Sequence, residues 1–250
     1  MSNRVQWLTP EWPVDPRVRV ISTLRGGGVS SGPYASLNLA AHTGDDPARV
    51  AENRRRLRQA AGLPAEPLWM EQVHGCGVVA CGPSQGTPRA DAAHTATPGC
   101  VCAVMTADCL PVVLADREGN RVGIAHAGWR GLAGGVVEAT VAALGVDPAR
   151  LAAWLGPAIG PAAFEVGAEV RDAFMKCGPG AAAAFAANPR GRFQADLYGL
   201  ARWLLARAGV ADVYGGEWCT HSDDERFFSF RRDGATGRMA TLAWLDGPAW

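Results

Sequence analysis

The stretch 100–131, CVCAVMTADCLPVVLADREGNRVGIAHAGWRG, decides the fold. Its apolar runs at 100–106, 110–115 and 121–126 are short, rich in Val and bounded by turn residues, so each reads as a buried strand. The first run leads into Ala107-Asp108-Cys109-Leu110-Pro111 and the third into His126-Ala127-Gly128-Trp129-Arg130-Gly131. Cys109 and His126 therefore stand near the ends of rigid elements. A third metal-capable side chain, His74, lies upstream in Gln72-Val73-His74-Gly75. Two imidazoles and one thiolate leave a fourth position open, which is how zinc is held when it does chemistry. Gly75 and Gly128 each permit a sharp bend or a close approach beside the site. The spacings match no compact zinc finger, so the fold itself must join the three. The same Cys109 and His126 could instead act without metal, as nucleophile and base.

Further elements follow outward from this stretch. Residues 17–23 alternate as a strand, and 25–31 (RGGGVSS) form a glycine-rich loop. Asp46 as N-cap and Pro47 at the first position open a helix that Gly62 closes. Strands are expected at 67–72 and 77–80, a helix over 132–144 closed by Gly145, and a strand at 151–155. Helices are expected over 165–175 and 196–208, a short helix in the alanine run 181–187, and a terminal hairpin of RFFSFRR, the turn DGATG and RMATLAWL. Strands and helices mix without regular βαβ alternation. The reading is an α+β protein, mixed β-sheets covered by helices, in one domain over 1–250.

Bulk properties narrow the function. Formal net charge is zero, so no broad electrostatic pull toward nucleic acid or a membrane surface is expected. Seven cysteines, an odd number without a C-x-x-C pair, do not make a disulfide framework. The N-terminus lacks a signal-peptide core, and no apolar run approaches the roughly 18 residues of a span. A reducing cytoplasm, with thiols free for metal, is the expected compartment.

Three features could meet an anion or a proton. The 25–31 loop could form a nest of backbone N–H groups beside Arg25, although an ordinary turn reads as well. Arg130 stands at the start of the expected 132–144 helix, where the dipole favours an anion. Asp91, Asp108 and Glu165 are carboxylates beside apolar segments, and Asp108 has the best claim to proton transfer because it adjoins Cys109. The arginines at 49, 54, 55, 56 and 58 read as a solvated helix face.

The motifs TADCLPV, AHAGWRG and EQVHG, with STLRGGGVS, YASLNLAAHTGD, VAENRRRL, RADAAHTATPG, WLGPAIGPAAFEVGAEV and FFSFRRDGATGRMATLAWL, closely resemble the YfiH-like laccase-domain family. Its members are variously named polyphenol oxidases, purine nucleoside phosphorylases and peptidoglycan editing factors. The resemblance implies a layered α/β sandwich and zinc at His74, Cys109 and His126. It also implies phosphorolysis of adenosine, inosine, guanosine and methylthioadenosine, with deamination of adenosine. Catalysis is expected to involve Asp108, Cys109 and His126. Arg25, Asn38 and Arg130 are the expected substrate or phosphate contacts. Many relatives carry a cysteine where Ala162 or Ala163 stands here. Multicopper laccase chemistry needs many histidines, and this chain has five. Copper competes strongly for nitrogen and sulfur ligands, so it is expected only as a non-native substitute. The alternatives are a Cys–His hydrolase acting on a peptidoglycan precursor, and a non-enzymatic factor that binds a cell-wall ligase or its precursor.

Overall fold

The computed structural model describes residues 4–82 and 86–247; the first and last three residues of the expected 1–250 domain lie outside it. The deciding stretch forms three strands that are not three neighbours. β5 (Cys102–Thr106) belongs to a four-stranded antiparallel sheet, beside β13 (Met239–Leu245), β2 (Val18–Thr23) and β1 (Trp7–Leu8). β6 (Leu110–Asp116) and β7 (Val122–Ala127) lie at the centre of a six-stranded sheet. The chain thus crosses from one sheet to the other at 107–109, and Cys109 sits at the crossover. The six-stranded sheet also holds β3 (Val78–Ala80), β4 (Ala92–Thr95), β8 (Leu151–Leu155) and β12 (Asp212–Gly215). Its pairs β3–β4 and β8–β12 are parallel and the rest antiparallel, so the sheet is mixed as expected.

Side-chain alternation along these strands makes the layers. Val112 and Leu114 of β6 face one way, into a core completed by α3 (Val136–Leu144), α4 (Ala168–Cys177) and α5 (Leu197–Arg207). Val113 and Ala115 face the other way and meet Val104, Val20 and Ala243 of the four-stranded sheet. The outer face of that sheet, with Met105 and Leu242, is covered by Leu57 of α1 (Pro47–Ala61). The order is helix, sheet, sheet, helices. A small third sheet joins β9 (Glu165–Val166), β10 (Phe185–Ala187) and β11 (Phe193–Ala195). Among the described residues, no helix is long and apolar enough to cross a membrane.

Local signals place most helix ends. The Asp46 side chain accepts from Ala48 N at 2.8 Å, and Gly62 closes α1 at φ 59°. Asp196 caps α5 through Gly199 N at 2.9 Å. The helix expected over 132–144 is instead two. α2 (Trp129–Gly134) ends where Gly135 takes φ 98°, and α3 starts from there. The helix expected from 165 begins at Ala168, because Glu165 and Val166 pair with β11. The alanine run is a 3₁₀ turn over Pro179–Ala184 followed by β10. Residues 67–72 make isolated bridges, Leu68 to Cys102 and Glu71 to Arg89, in place of a strand. The terminal hairpin does not form. Phe227 and Phe228 are buried anchors, Ser229 caps the short α6 (Phe230–Asp233), and β13 pairs with the distant β2 and β5.

The glycine-rich loop is closed on itself. Gly28 N donates to Ser36 Oγ, Val29 N to Asn53 Oδ1 and Ser30 N to the Ser36 carbonyl. Those three N–H groups are spent on protein acceptors, so the ordinary-turn reading holds there. Asn53, on α1 and fully buried, also donates to Ser30 Oγ and to the carbonyls of Ser36 and Asn38. Asn53→Ala would strand several buried polar groups at about 1–3 kcal/mol each. A fall in Tm of roughly 6–12 °C is expected by calorimetry, and an unchanged Tm would dismiss Asn53 as the tie between loop and helix.

Candidate metal centre

Strand ends and one sharp turn bring the three ligands together. Asp108 takes φ 88° and His74 φ 60°, the two non-glycine residues with positive φ among the described residues. Such backbone is unfavourable outside glycine and persists where surroundings over-determine it. At Asp108 the surroundings are explicit. Thr220 Oγ1 donates to its Oδ1 at 2.7 Å, Arg231 N to its Oδ2 at 2.6 Å and Ile159 N to its carbonyl at 3.0 Å. The turn so fixed presents Cys109. At His74 the clamp is Asp91, whose carboxylate accepts from Val73 N at 3.1 Å, His74 N at 2.9 Å and Gly75 N at 2.7 Å.

Asp91 also accepts a hydrogen bond at 2.9 Å from Nδ1 of His126, and its carbonyl accepts from His126 N at 2.7 Å. The β4–β7 register explains the meeting, because Ala92 opposite Ala125 sets Asp91 opposite His126. One fully buried carboxylate therefore orients both histidines. Holding Nδ1 leaves Nε2 of His126 for a ligand, the usual partnership of a carboxylate behind a metal-binding imidazole.

The ligand atoms of His74, Cys109 and His126 lie within 4.8 Å of one another, with His74 exposed, Cys109 partly exposed and His126 buried. Cys109 Sγ is 3.8 Å from His74 Nε2. Nitrogen and sulfur ligands of one tetrahedral zinc stand roughly 3.5 Å apart, so the donor set fits that metal in type and spacing. Burial works to raise the Cys109 thiol, but the charge and hydrogen bonds of His126, then of His74, outweigh it and bring it down to about 6. Burial likewise works against charge on His126, yet Cys109 and Asp91 raise it to about 9. The site already favours a thiolate, the form that binds metal or attacks carbon. Among the described residues this is the one cluster of three or more His, Cys, Asp or Glu side chains that could hold an ion.

The other expected contacts fall in different places. Arg130 is exposed, with its guanidinium 4.4 Å from the Trp129 ring centroid. It helps line a cleft of about 470 Å³ with Trp129, Phe164, Glu165, Arg192 and Arg231. The helix behind it, α2, is only six residues long, so the dipole argument loses its force there. Arg25 donates from Nε and Nη2 to the Ala35 carbonyl and from Nη1 to the Asp224 carbonyl, so it holds loops. Asn38, expected as a substrate contact, is 0% exposed. Its amide nitrogen donates to Ala40, Thr43 and Asp45, and its oxygen accepts from Ala40 N and Arg238 N, which leaves nothing to offer a ligand. Glu165 pairs with Arg190 and hydrogen-bonds Asn188. In sequence Asp91 is one of three carboxylates beside apolar segments; what distinguishes it is its pairing with His126, a long-range register that no local pattern carries.

Comparison with known proteins agrees over nearly the whole chain. The family described as multi-copper polyphenol oxidoreductase laccase matches residues 19–246. A Pseudomonas aeruginosa protein named purine nucleoside phosphorylase is 57% identical over 242 residues, covering 96% of this chain and 98% of its own. The Escherichia coli K12 protein named purine nucleoside phosphorylase YfiH is 53% identical over 239 residues, covering 95% and 98%. Among solved structures, a Neisseria meningitidis protein superposes with a TM-score of 0.93 at 53% identity, covering 96% of this chain and 99% of that one. YlmD from Geobacillus stearothermophilus gives 0.92 at 33%, covering 99% and 98%.

Proposed function

The chain belongs to the YfiH-like laccase-domain family, and from that premise we propose that it is a zinc-dependent purine nucleoside phosphorylase that also deaminates adenosine. The observation that carries the metal part is the His74–Cys109–His126 cluster, braced by one buried carboxylate. The activity rests on relatives named purine nucleoside phosphorylase. The proposed substrates are adenosine, inosine, guanosine and methylthioadenosine, in a reducing cytoplasm that keeps the seven free cysteines as thiols.

Zinc bound there would supply a Lewis acid at the open edge of the cluster. The protein's own groups do the positioning. In phosphorolysis the bond from sugar C1′ to the base nitrogen breaks, a phosphate oxygen bonds to C1′, and the base leaves with the electron pair and takes up a proton. Asp108 is our candidate for that proton transfer, since its carboxylate is held beside Cys109 by Thr220 and Arg231. Arg130, on the rim of the cleft, is a candidate contact for the anionic co-substrate. Arg25 and Asn38 would act indirectly, Arg25 by holding the loops at Ala35 and Asp224 and Asn38 by holding the backbone of Arg238.

A second reading keeps a specific observation in its favour. Cys109, His126 and Asp91 form a relay of thiol, imidazole and carboxylate, the arrangement of a Cys–His hydrolase, for which a peptidoglycan precursor is the candidate substrate. The deciding experiment follows adenosine in the purified protein. Adenine and ribose 1-phosphate should appear only with phosphate, inosine should appear without it, and a chelator should stop both until zinc is restored. Full activity in metal-free protein would overturn the zinc reading in favour of the thiolate.

A further inference from the structure

Two large hydrophobic side chains are left exposed among the described residues, Val73 at 39% and Phe230 at 58%. Both flank the metal centre. Val73 precedes His74 and donates its N–H to Asp91. Phe230 precedes Arg231, whose N–H holds Asp108 beside Cys109.

Residues 234–238, Gly-Ala-Thr-Gly-Arg, run from α6 to β13 along this same edge. The register Met239 opposite Thr106 brings Arg238 beside Ala107, at the point where the chain turns into Asp108 and Cys109. Arg238 Nη1 donates to the carbonyls of Thr236 at 2.9 Å and Gly237 at 3.0 Å, and its Cζ lies 5.7 Å from the Phe230 ring centroid. Burial holds its pKa below the ordinary arginine value, and the charges of Cys109, Asp108 and Tyr34 work the other way. Among the described residues no carboxylate lies within ion-pair distance of it. Next to it Thr236 is 2% exposed and its hydroxyl has no hydrogen-bond partner. A buried hydroxyl left unsatisfied is costly and calls for a partner. A half-buried guanidinium without a carboxylate partner offers a site to an anion.

We propose that Arg238 and Thr236 form an oxyanion subsite beside the metal centre that takes the phosphate co-substrate, with the exposed ring of Phe230 as the apolar face for the purine base. This deepens the phosphorylase reading and rests on it. Arg238 is a second cation for a doubly charged ligand, and it is not among the residues that line the cleft of Arg130.

The test uses the zinc-loaded full chain, with inosine and orthophosphate varied separately. Arg238→Gln should raise the KM for phosphate by about 10- to 100-fold, the loss of a charge-assisted contact, with nucleoside KM and zinc content unchanged. Arg238→Lys should recover part of the loss, Thr236→Val should raise the same constant several-fold, and Phe230→Ala should raise only the nucleoside KM. Unchanged phosphate KM in Arg238→Gln, or nucleoside KM rising in step with it, would overturn the subsite. Calorimetric titration with orthophosphate separates this failure from that of the activity itself. Wild-type binding that Arg238→Gln removes upholds the subsite even if no ribose 1-phosphate forms, and equal binding by both proteins refutes it. Titration with a nucleoside 5′-monophosphate distinguishes a subsite for free phosphate from one for a nucleotide's phosphate.

Discussion

Asp91→Ala is expected to strip the protein of its metal and to destabilise it in one step. Cys109→Ala, by contrast, should lose metal and activity while the fold stands. The difference lies in what each side chain holds. The Asp91 carboxylate is fully buried and receives four hydrogen bonds, from three successive backbone N–H groups and one imidazole. Burial works to raise its pKa, but the hydrogen bond from His126 and those from the backbone prevail and hold the carboxyl below its ordinary value. Without it, His74 loses what stabilises its left-handed backbone, and His126 loses the partner that fixes its ring. Loss of such an outer partner costs a metal about 10–100-fold in affinity. The stranded donors cost about 1–3 kcal/mol each, so a total of 3 kcal/mol or more and a fall in Tm of roughly 6–12 °C are expected. Asp91→Asn separates the two effects. It keeps the volume and one acceptor oxygen but sets an amide N–H₂ against backbone donors, so metal should weaken more than stability. Calorimetry with a zinc-competition titration reads both. Normal zinc affinity in Asp91→Ala would sink the claim that this carboxylate organises the site.

What could be read from residues alone depended on the range of the interaction. Asp46, Gly62, Gly145 and Asp196 mark helix ends through contacts a few residues apart, and those ends lie where they were expected. The three strands of 100–131 were legible because each is a short, mainly apolar run bounded by turn residues. Their division between two sheets was not, since nothing in the Ala107–Cys109 turn says which neighbours the next strand will find. β4 is four residues long and buried on both faces, so it carries no alternation, and with it the partnership of Asp91 and His126 went unread. Phe227 and Phe228 looked like strand because aromatic residues favour strands, yet both are anchors in an irregular segment. Arg25 and Asn38 lie in motifs of the family, and their side chains face the protein. A motif reports that a residue is required, and leaves open whether it touches a ligand or holds the loop that does.

Gly128→Ala is expected to leave the fold standing and empty the centre. Gly128 has φ −61° and ψ 158°, a conformation that alanine adopts freely, so the change carries no backbone penalty. Its effect comes only from where the methyl group goes. A Cβ there would lie 2.9 Å from Cys109 Sγ and 3.0 Å from His74 Cδ2, against two ligands at once. The thiolate and the imidazole would have to part, and a zinc ion holds its ligands at fixed lengths of about 2.3 Å to sulfur and 2.0 Å to nitrogen. Zinc retention should therefore fall by about tenfold or more, and activity with it, since a small misplacement in a catalytic constellation costs on the order of 100-fold. Gly135→Ala is the counterpart. Its φ of 98° strains any side chain, but the nearest atom to its Cβ is a Glu138 oxygen at 3.9 Å. It should lower Tm by a few degrees, from about 1 kcal/mol, and keep its zinc. Metal content after dialysis, read beside the melting curves, should show the two losses in opposite proteins. A Gly128→Ala protein that holds zinc as tightly as wild type would mean that the ligands do not close around one ion at this point.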